Sequence, residues 1–120
     1  MFSKIGIIGC GLIGSSILRA VEEKKLATKI SVHDKSNKVT EFLKKNFTVD
    51  ICYKVSEAAK DADLIIISAP LSSYKEILLS IESSLKEGSI LTDTGSAKKE
   101  VNKIVSNLGL KNISWIASHP

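Results

Sequence analysis

Short apolar runs alternate with segments of helical periodicity along the whole chain. The runs predict strands over residues 4–9, 30–33, 49–52, 64–69, 90–92 and 113–117. Between them, apolar residues recur at three- and four-residue spacings, which predicts helices over residues 12–25, 37–45, 56–60, 74–85 and 98–108. Strands that alternate with helices in this way are typical of βαβ units and predict an α/β domain with a parallel sheet.

Two of these segments carry further detail. The fourth run, residues 64–69, is apolar almost without interruption and stops at Pro70, as expected of a central strand that is buried on both faces. The spacing in the first helix is expected to place one set of residues on a common face: Ile13, Ile17, Ala20, Val21 and Lys24.

Length and composition restrict the class of protein. The 120 residues suit one domain, and 43% hydrophobic and 25% charged residues are ordinary for a globular protein. Only Arg19 among the 17 basic residues is an arginine, and no basic block with aromatic residues occurs, so we expect no nucleic-acid partner. The longest apolar run, residues 64–69, is too short to cross a bilayer, so no membrane partner is expected.

Cys10 and Cys52 have no metal-ligand or redox spacing, so we expect two reduced thiols and no metal. The chain enters its first strand directly after Met-Phe-Ser-Lys, without the pattern of a signal peptide. Both observations favour a cytoplasmic protein.

A glycine-rich turn, Gly9-Cys10-Gly11-Leu12-Ile13-Gly14, lies between the first strand and the first helix. In this context the pattern is typical of dinucleotide binding. Gly9 permits a tight turn, Gly11 leaves room for the pyrophosphate, and Gly14 lets the helix pack on the sheet, while the helix N-terminus attracts phosphate. Gly9, Gly11, Leu12, Ile13 and Gly14 are therefore candidate cofactor-binding residues. The alternative is a tight turn that binds nothing.

Asp34 ends the second strand, 20 residues after Gly14. A carboxylate there can accept hydrogen bonds from the adenosine ribose and repel a 2′-phosphate, which favours NAD over NADP. Lys35 follows it and keeps NADP possible, since an ammonium offsets part of that repulsion. The alternative is an aspartate that only initiates a turn. His33, just before it, is expected to be a packed or edge residue.

The whole pattern matches a doubly wound Rossmann domain over residues 1–120, with expected strand order 3-2-1-4-5-6. Ala69 and Pro70 close the fourth strand, beside the point where such sheets bind their ligands, and are candidate cofactor contacts. The alternative is that they only terminate the strand.

Residues with side chains that can take part in catalysis lie at the carboxyl ends of the last two predicted strands. Residues 92–98 read Thr-Asp-Thr-Gly-Ser-Ala-Lys and follow the fifth strand, and His119-Pro120 follows the sixth. The carboxyl ends of neighbouring parallel strands lie side by side, so we expect Ser96, Lys98 and His119 to converge at the ligand edge. Gly95 and Ser96 have an alternative role as the turn and N-cap of the following helix.

These motifs together resemble the prephenate dehydrogenases and the related arogenate or cyclohexadienyl dehydrogenases of tyrosine biosynthesis. The resemblance extends over the whole chain. Gly95-Ser96-x-Lys98 followed by His119-Pro120 is its discriminating feature, because the glycine turn, His33-Asp34-Lys35 and the segment 62–70 are shared by many Rossmann dehydrogenases.

The resemblance implies an NAD-dependent oxidative decarboxylation of prephenate to 4-hydroxyphenylpyruvate, or of arogenate to tyrosine. It implies that His119 accepts the proton of the ring hydroxyl and that Ser96 binds the same hydroxyl or orients His119. It also implies that Gly95 lies at the cofactor.

Members of this family continue after the His-Pro motif into a mainly helical domain that forms a homodimer and supplies most substrate contacts. The chain is therefore expected to be an N-terminal fragment of a longer enzyme, inactive by itself. Two alternatives remain: a non-catalytic NAD-sensing Rossmann module, and a Rossmann dehydrogenase of the hydroxyacid or imine type.

Overall fold

The computed structural model describes residues 2–94, 98–109 and 113–116. Six parallel strands form one sheet in the order β3-β2-β1-β4-β5-β6, which confirms the predicted order and the doubly wound fold. The strands are β1 (Phe2–Ile8), β2 (Ala27–His33), β3 (Asp50–Ile51), β4 (Leu64–Ile67), β5 (Ser89–Asp93) and β6 (Ile113–Ile116).

In the described part of the chain, five α-helices connect these strands: α1 (Leu12–Glu23), α2 (Asn37–Asn46), α3 (Val55–Ala59), α4 (Tyr74–Ile81) and α5 (Lys98–Leu108). Short 3-10 turns at Leu71–Ser73 and Glu82–Ser84 flank α4. The helix predicted over residues 74–85 thus tightens at its C-terminal end, as helix termini often do. The helix predicted to reach residue 25 ends at Glu23, because Lys25 adopts a left-handed backbone conformation with φ 52°.

Each face of the sheet carries its own apolar core. Ile5 and Ile7 of β1 pack with the buried residues of α1 and α2, whereas Ile8 packs with those of α3, α4 and α5. This alternation follows from the two-residue period of a strand whose two faces are both covered by helices. Complete burial of one such aliphatic side chain contributes about 1.5–3 kcal/mol, so the two layers hold the sheet and its loops in place.

The face of α1 that meets the sheet differs from the predicted one. Gly14, Leu18 and Val21 are buried, whereas Ile13 is 45% exposed. Of the residues predicted to share a face with Ile13, Val21 is buried, whereas Ala20 and Lys24 are exposed. Gly14 packs closely against the glycine turn, and positions 14, 18 and 21, at helical spacing, share the inward face.

The carboxyl ends of the central strands are joined by backbone hydrogen bonds that extend the ladder into the loops. Gly9 donates its N–H to the carbonyl of His33 at 2.7 Å, and Ser68 donates to the carbonyl of Ile8 at 2.8 Å. Thr94 donates to the carbonyl of Ile67 at 3.0 Å. These bonds bring the glycine turn and the loops after β2, β4 and β5 to one edge of the sheet.

Candidate cofactor cleft

A cleft of about 660 Å³ opens at this edge. Its walls are the glycine turn, the loop 33–36 after β2, and the loop 68–70 after β4, with Val39, Val55 and Ile77 as apolar surfaces. The chain turns one way from β1 to β2 and the other way to β4, so the cleft lies at the switch point of the sheet. Ligands of open α/β sheets bind at this point.

Two glycines of the turn are required by the protein itself. Gly9 has φ +85°, and a Cβ there would lie 2.7 Å from the carbonyl oxygen of Ser68. A Cβ on Gly14 would lie 2.7 Å from the carbonyl oxygen of Gly9. Both distances are far below van der Waals contact with backbone atoms, so a side chain at either position forces the turn or α1 to move. The structure therefore shows Gly9 and Gly14 in the packing roles that the sequence predicts for them.

At Gly11, in contrast, no contact with described residues requires a glycine. Its φ is −73°, and a Cβ there would meet no described atom within 4 Å. Gly11 lines the cleft and is the N-cap of α1, and no described side chain caps this helix. The backbone N–H groups of the first helical turn are thus left for an external acceptor. This open space and these donors fit a pyrophosphate that approaches the backbone closely.

Leu12 and Ile13 stand at the start of α1 and are 87% and 45% exposed. Neither lines the cleft. Their expected contact with a cofactor would therefore come through their backbone N–H groups at the helix N-terminus.

Asp34 makes two backbone hydrogen bonds with its carboxylate. Oδ2 accepts from the N–H of Cys10 at 2.7 Å, and Oδ1 accepts from the N–H of Ser36 at 2.8 Å. The second bond is an Asx turn, so the turn-initiating role is real. A carboxylate has about four lone-pair sites, so Asp34 retains capacity for ribose hydroxyls. Lys35 is exposed beside it at the cleft wall.

Cys10 lies inside the glycine turn but is only 2% exposed. Burial raises the pKa of its thiol; the hydrogen bond with the Ser15 hydroxyl lowers it by a smaller amount, and the nearby Asp34 carboxylate adds a still smaller increase. The thiol therefore stays protonated at neutral pH and packs as a small apolar group. Cys10 and Cys52 are both free cysteines, in agreement with the expectation of two thiols.

The loop after β4 connects the glycine turn to the end of β5. Ala69 and Pro70 line the cleft at the place expected of cofactor contacts. Thr94 donates its hydroxyl to the Ser68 hydroxyl at 3.1 Å. Ser68 also touches the positions where Gly9 and Gly14 would carry a Cβ, so it links the turn to the residues that precede Gly95. The sequence provides no spacing rule that identifies this hydroxyl pair.

A buried polar pair lies below this loop. The Tyr74 hydroxyl donates to Oδ2 of Asp93 at 3.0 Å, and both residues are fully buried. The pair holds the end of β5 against the start of α4. The helical stripe of α4 predicts a buried position for its side chains, but nothing in the pattern indicates the acidic partner.

His33 is half-buried and lines the cleft. Its ring Nδ1 lies 3.0 Å from the carbonyl oxygen of Cys52. The sequence-based interpretation of a packed or edge residue is thus incomplete, because the ring stands at the ligand edge. In the sequence, the feature that indicates a place at the cleft is the position of His33 directly before Asp34 at the end of a strand.

Gly95, Ser96 and His119 lie outside the described residues, and so does the side chain of Lys98. Their neighbours are described. Asp93 and Thr94 precede Gly95, and β6 ends at Ile116, three residues before His119. The Thr92 hydroxyl donates to the carbonyl of Ile116 at 2.5 Å and ties the carboxyl ends of β5 and β6 together.

Within residues 2–94, 98–109 and 113–116, no three His, Cys, Asp or Glu side chains cluster in a way that holds a metal ion. In the same part of the chain, no helix has the length and apolar character needed to cross a membrane.

Comparison with known proteins identifies relatives that share this architecture. The chain is 35% identical to the prephenate dehydrogenase of Lactococcus lactis subsp. cremoris, over 98% of this chain and 33% of that protein. It is 32% identical to the cyclohexadienyl dehydrogenase of Zymomonas mobilis subsp. mobilis, over 100% of this chain and 41% of that protein. These relatives confirm the resemblance drawn from the motifs, and the chain spans between a third and about two fifths of their length.

The fold also matches a crystal structure of prephenate dehydrogenase from A. aeolicus in complex with hydroxyphenyl propionate and NAD+, with a TM-score of 0.82 and 22% identity. The match covers 100% of this chain and 42% of that one. A family model described as "NADP oxidoreductase coenzyme F420-dependent" matches residues 4–97, which include the glycine turn, Asp34 and the loop after β4. The chain belongs to this NADP oxidoreductase family.

Proposed function

We propose that this chain is the nucleotide-binding part of an NAD-dependent dehydrogenase that converts prephenate to 4-hydroxyphenylpyruvate or arogenate to tyrosine. The open space at Gly11 is the main support for the cofactor part of the proposal. No contact with described residues requires glycine at this position, and Gly11 lines the cleft. The motif pair Gly95-Ser96-x-Lys98 and His119-Pro120, together with the two relatives of this activity, supports the reaction.

NAD is the proposed form of the cofactor. The glycine turn would bind the pyrophosphate, and Asp34, held at the cleft by Cys10 and Ser36, would accept hydrogen bonds from the adenosine ribose. The A. aeolicus structure with NAD+ supports this choice. NADP is the second form to test, because Lys35 stands beside Asp34 and the family model is that of NADP oxidoreductases.

The chemistry proposed for the site needs few protein groups. When bound, the nicotinamide supplies the hydride acceptor. His119 takes the proton from the ring hydroxyl, a role that suits an imidazole with a pKa near neutrality. Ser96 binds the same hydroxyl or orients His119. Loss of carbon dioxide makes the ring aromatic and drives the reaction, and the proton returns from His119 to the oxygen of the new phenol, so the protein mainly positions the ring and moves one proton.

The remaining parts of the proposal concern the protein as a whole. Residues 1–120 form the NAD(P)-binding domain, the partner is a small-molecule substrate, and the full-length protein is a homodimer through a further helical domain. No nucleic acid or membrane partner is proposed. Free Cys10 and Cys52 support a cytoplasmic location.

Replacement of His119 by asparagine in the full-length protein tests the reaction. Loss of the base should lower kcat by about 10²- to 10⁴-fold, while the Kd for NAD stays unchanged. Unchanged turnover of prephenate and arogenate would overturn the role of His119. Tight NAD binding without turnover of either substrate by the unmodified protein would instead establish the NAD-sensing module.

A further inference from the structure

We propose that His33 is a specificity residue for the base of the cofactor: its Nε2 accepts a hydrogen bond from the exocyclic amine of adenine. This inference rests on the proposed binding of a dinucleotide in the cleft. It assigns a role in ligand selection to a side chain outside the glycine turn and outside the ribose-binding carboxylate.

The contact with Cys52 determines which ring nitrogen is the acceptor. Nδ1 of His33 lies 3.0 Å from the carbonyl oxygen of Cys52, and a carbonyl oxygen can only accept a hydrogen bond. Nδ1 therefore carries the proton. With the proton on Nδ1, the lone pair of Nε2 is the hydrogen-bond acceptor of the imidazole, and Nε2 makes no hydrogen bond with any described residue.

The position of His33 in the sheet places the ring on the side of the cleft that holds the base. Ile30 and Val32 of β2 belong to the core beneath α1 and α2, so His33, one residue further, stands on the opposite face, toward α3. Val55 at the start of α3 and Ile77 of α4 line the cleft on the same side.

The order of groups in a dinucleotide matches this layout. With the pyrophosphate at the glycine turn and the ribose at Asp34, the base lies beyond Asp34, away from the turn. There it meets Val39, Val55 and Ile77, which form an apolar surface for a flat ring. The exocyclic amine is the only N–H donor of adenine, so an acceptor among these apolar groups selects it.

Nicotinamide hypoxanthine dinucleotide is the probe for this contact, because its base has an oxygen in place of the amine and carries its only N–H on the adjacent ring nitrogen N1. Isothermal titration of the full-length protein should yield a Kd for NAD about 3- to 10-fold lower than for the hypoxanthine analogue, as expected for one partly exposed hydrogen bond.

Two matched variants separate the two ring nitrogens. His33→Asn keeps an amide donor near the position of Nδ1, and so the bond to Cys52, but has no atom at the position of Nε2. It should bind NAD and the analogue equally. His33→Gln keeps an acceptor near the position of Nε2 and should retain a preference for NAD. Thermal unfolding of both variants provides the check on folding.

The outcomes of this experiment differ from those that test the proposed function. Equal affinities in the unmodified protein, or an unchanged preference in folded His33→Asn, would overturn the role of His33 and leave NAD binding intact. A protein that binds neither dinucleotide would overturn the cofactor site together with this inference.

Discussion

The carboxylate of Asp34 accepts a hydrogen bond from the backbone N–H of Cys10 at 2.7 Å. This bond joins the end of β2 to the middle of the glycine turn, so the two elements proposed to bind ribose and pyrophosphate hold each other in place. Its second oxygen anchors Ser36 at the start of α2. A change at Asp34 is therefore expected to alter both the ribose contact and the turn.

Asp34→Asn tests the choice of cofactor. An amide has one acceptor oxygen instead of two, so its NH₂ group would face the backbone N–H of Cys10 or of Ser36. Loss of the charge also removes the repulsion of a 2′-phosphate. We expect the Kd for NAD to rise about tenfold and the ratio of the NAD and NADP affinities to shift toward NADP, both measured by isothermal titration.

Lys35→Ala is the companion variant for that measurement. Lys35 is exposed, so its removal should leave the fold and NAD affinity nearly unchanged and weaken only NADP. An Asp34→Asn protein with an unchanged ratio of the two affinities would show that Asp34 serves only as a turn residue.

Substitutions in the glycine turn separate packing from ligand binding. Gly14→Ala should lower the free energy of unfolding by about 1–3 kcal/mol, because the new methyl group meets the carbonyl of Gly9. Gly9→Ala should cost at least as much, since it adds strain at positive φ. Gly11→Ala should change stability by less than about 1 kcal/mol. Urea denaturation of the three variants measures the difference, and equal losses at all three positions would contradict it.

The buried hydrogen bond between Tyr74 and Asp93 is expected to stabilise the folded protein. Tyr74→Phe removes a hydroxyl that donates to a fully buried carboxylate at 3.0 Å. The variant should lose about 1–3 kcal/mol in the free energy of unfolding, measured with urea, because the carboxylate loses one of its donors without access to water. A loss below about 0.5 kcal/mol would mean that the pair does not hold β5 against α4.

Asp63 makes stability depend on pH. Its pKa lies below the usual value, first because of the ion pair with Lys86 and then because of the Ser3 N–H, which donates to its carboxylate at 2.6 Å. A carboxylate whose pKa is lowered by folding stabilises the folded state above its ordinary pKa of 3.8, and the gain is lost as pH falls below that value.

The corresponding variant is Asp63→Asn. It should be less stable than the unmodified protein at pH 7, and the difference should shrink as the pH falls below 3.8 and the aspartate becomes protonated as well. Thermal unfolding between pH 2 and pH 7 provides the comparison. A gap of constant size across this range would indicate that the charge of Asp63 is not involved.

Strand order, helix positions and the place of the cleft could all be predicted from the sequence, because buried parallel strands and amphipathic helices leave periodic signals. The glycine turn was predictable as well, because a close approach of the backbone permits only glycine. The inward face of α1 was not, because Ile13 and Leu18 are equally apolar. The structure buries Leu18 together with Gly14 and Val21.

The contacts between loops could not be predicted from the sequence either. Thr94 and Ser68 are 26 residues apart, and the hydroxyl bond between them depends on how β4 and β5 pair. His33 and Cys52 meet only because the short β3 pairs with β2. Such pairs are set by tertiary register, which local patterns of residue type do not encode.

The affinity of the Gly11→Ala variant for NAD decides whether the glycine turn binds a pyrophosphate. Because a Cβ at Gly11 meets no described atom of the protein, the substitution acts on the space in front of the turn. Isothermal titration should show NAD binding to the unmodified protein and a Kd at least tenfold higher for Gly11→Ala, with nearly unchanged stability. A folded Gly11→Ala protein that binds NAD as tightly as the unmodified one would contradict a pyrophosphate site at this turn.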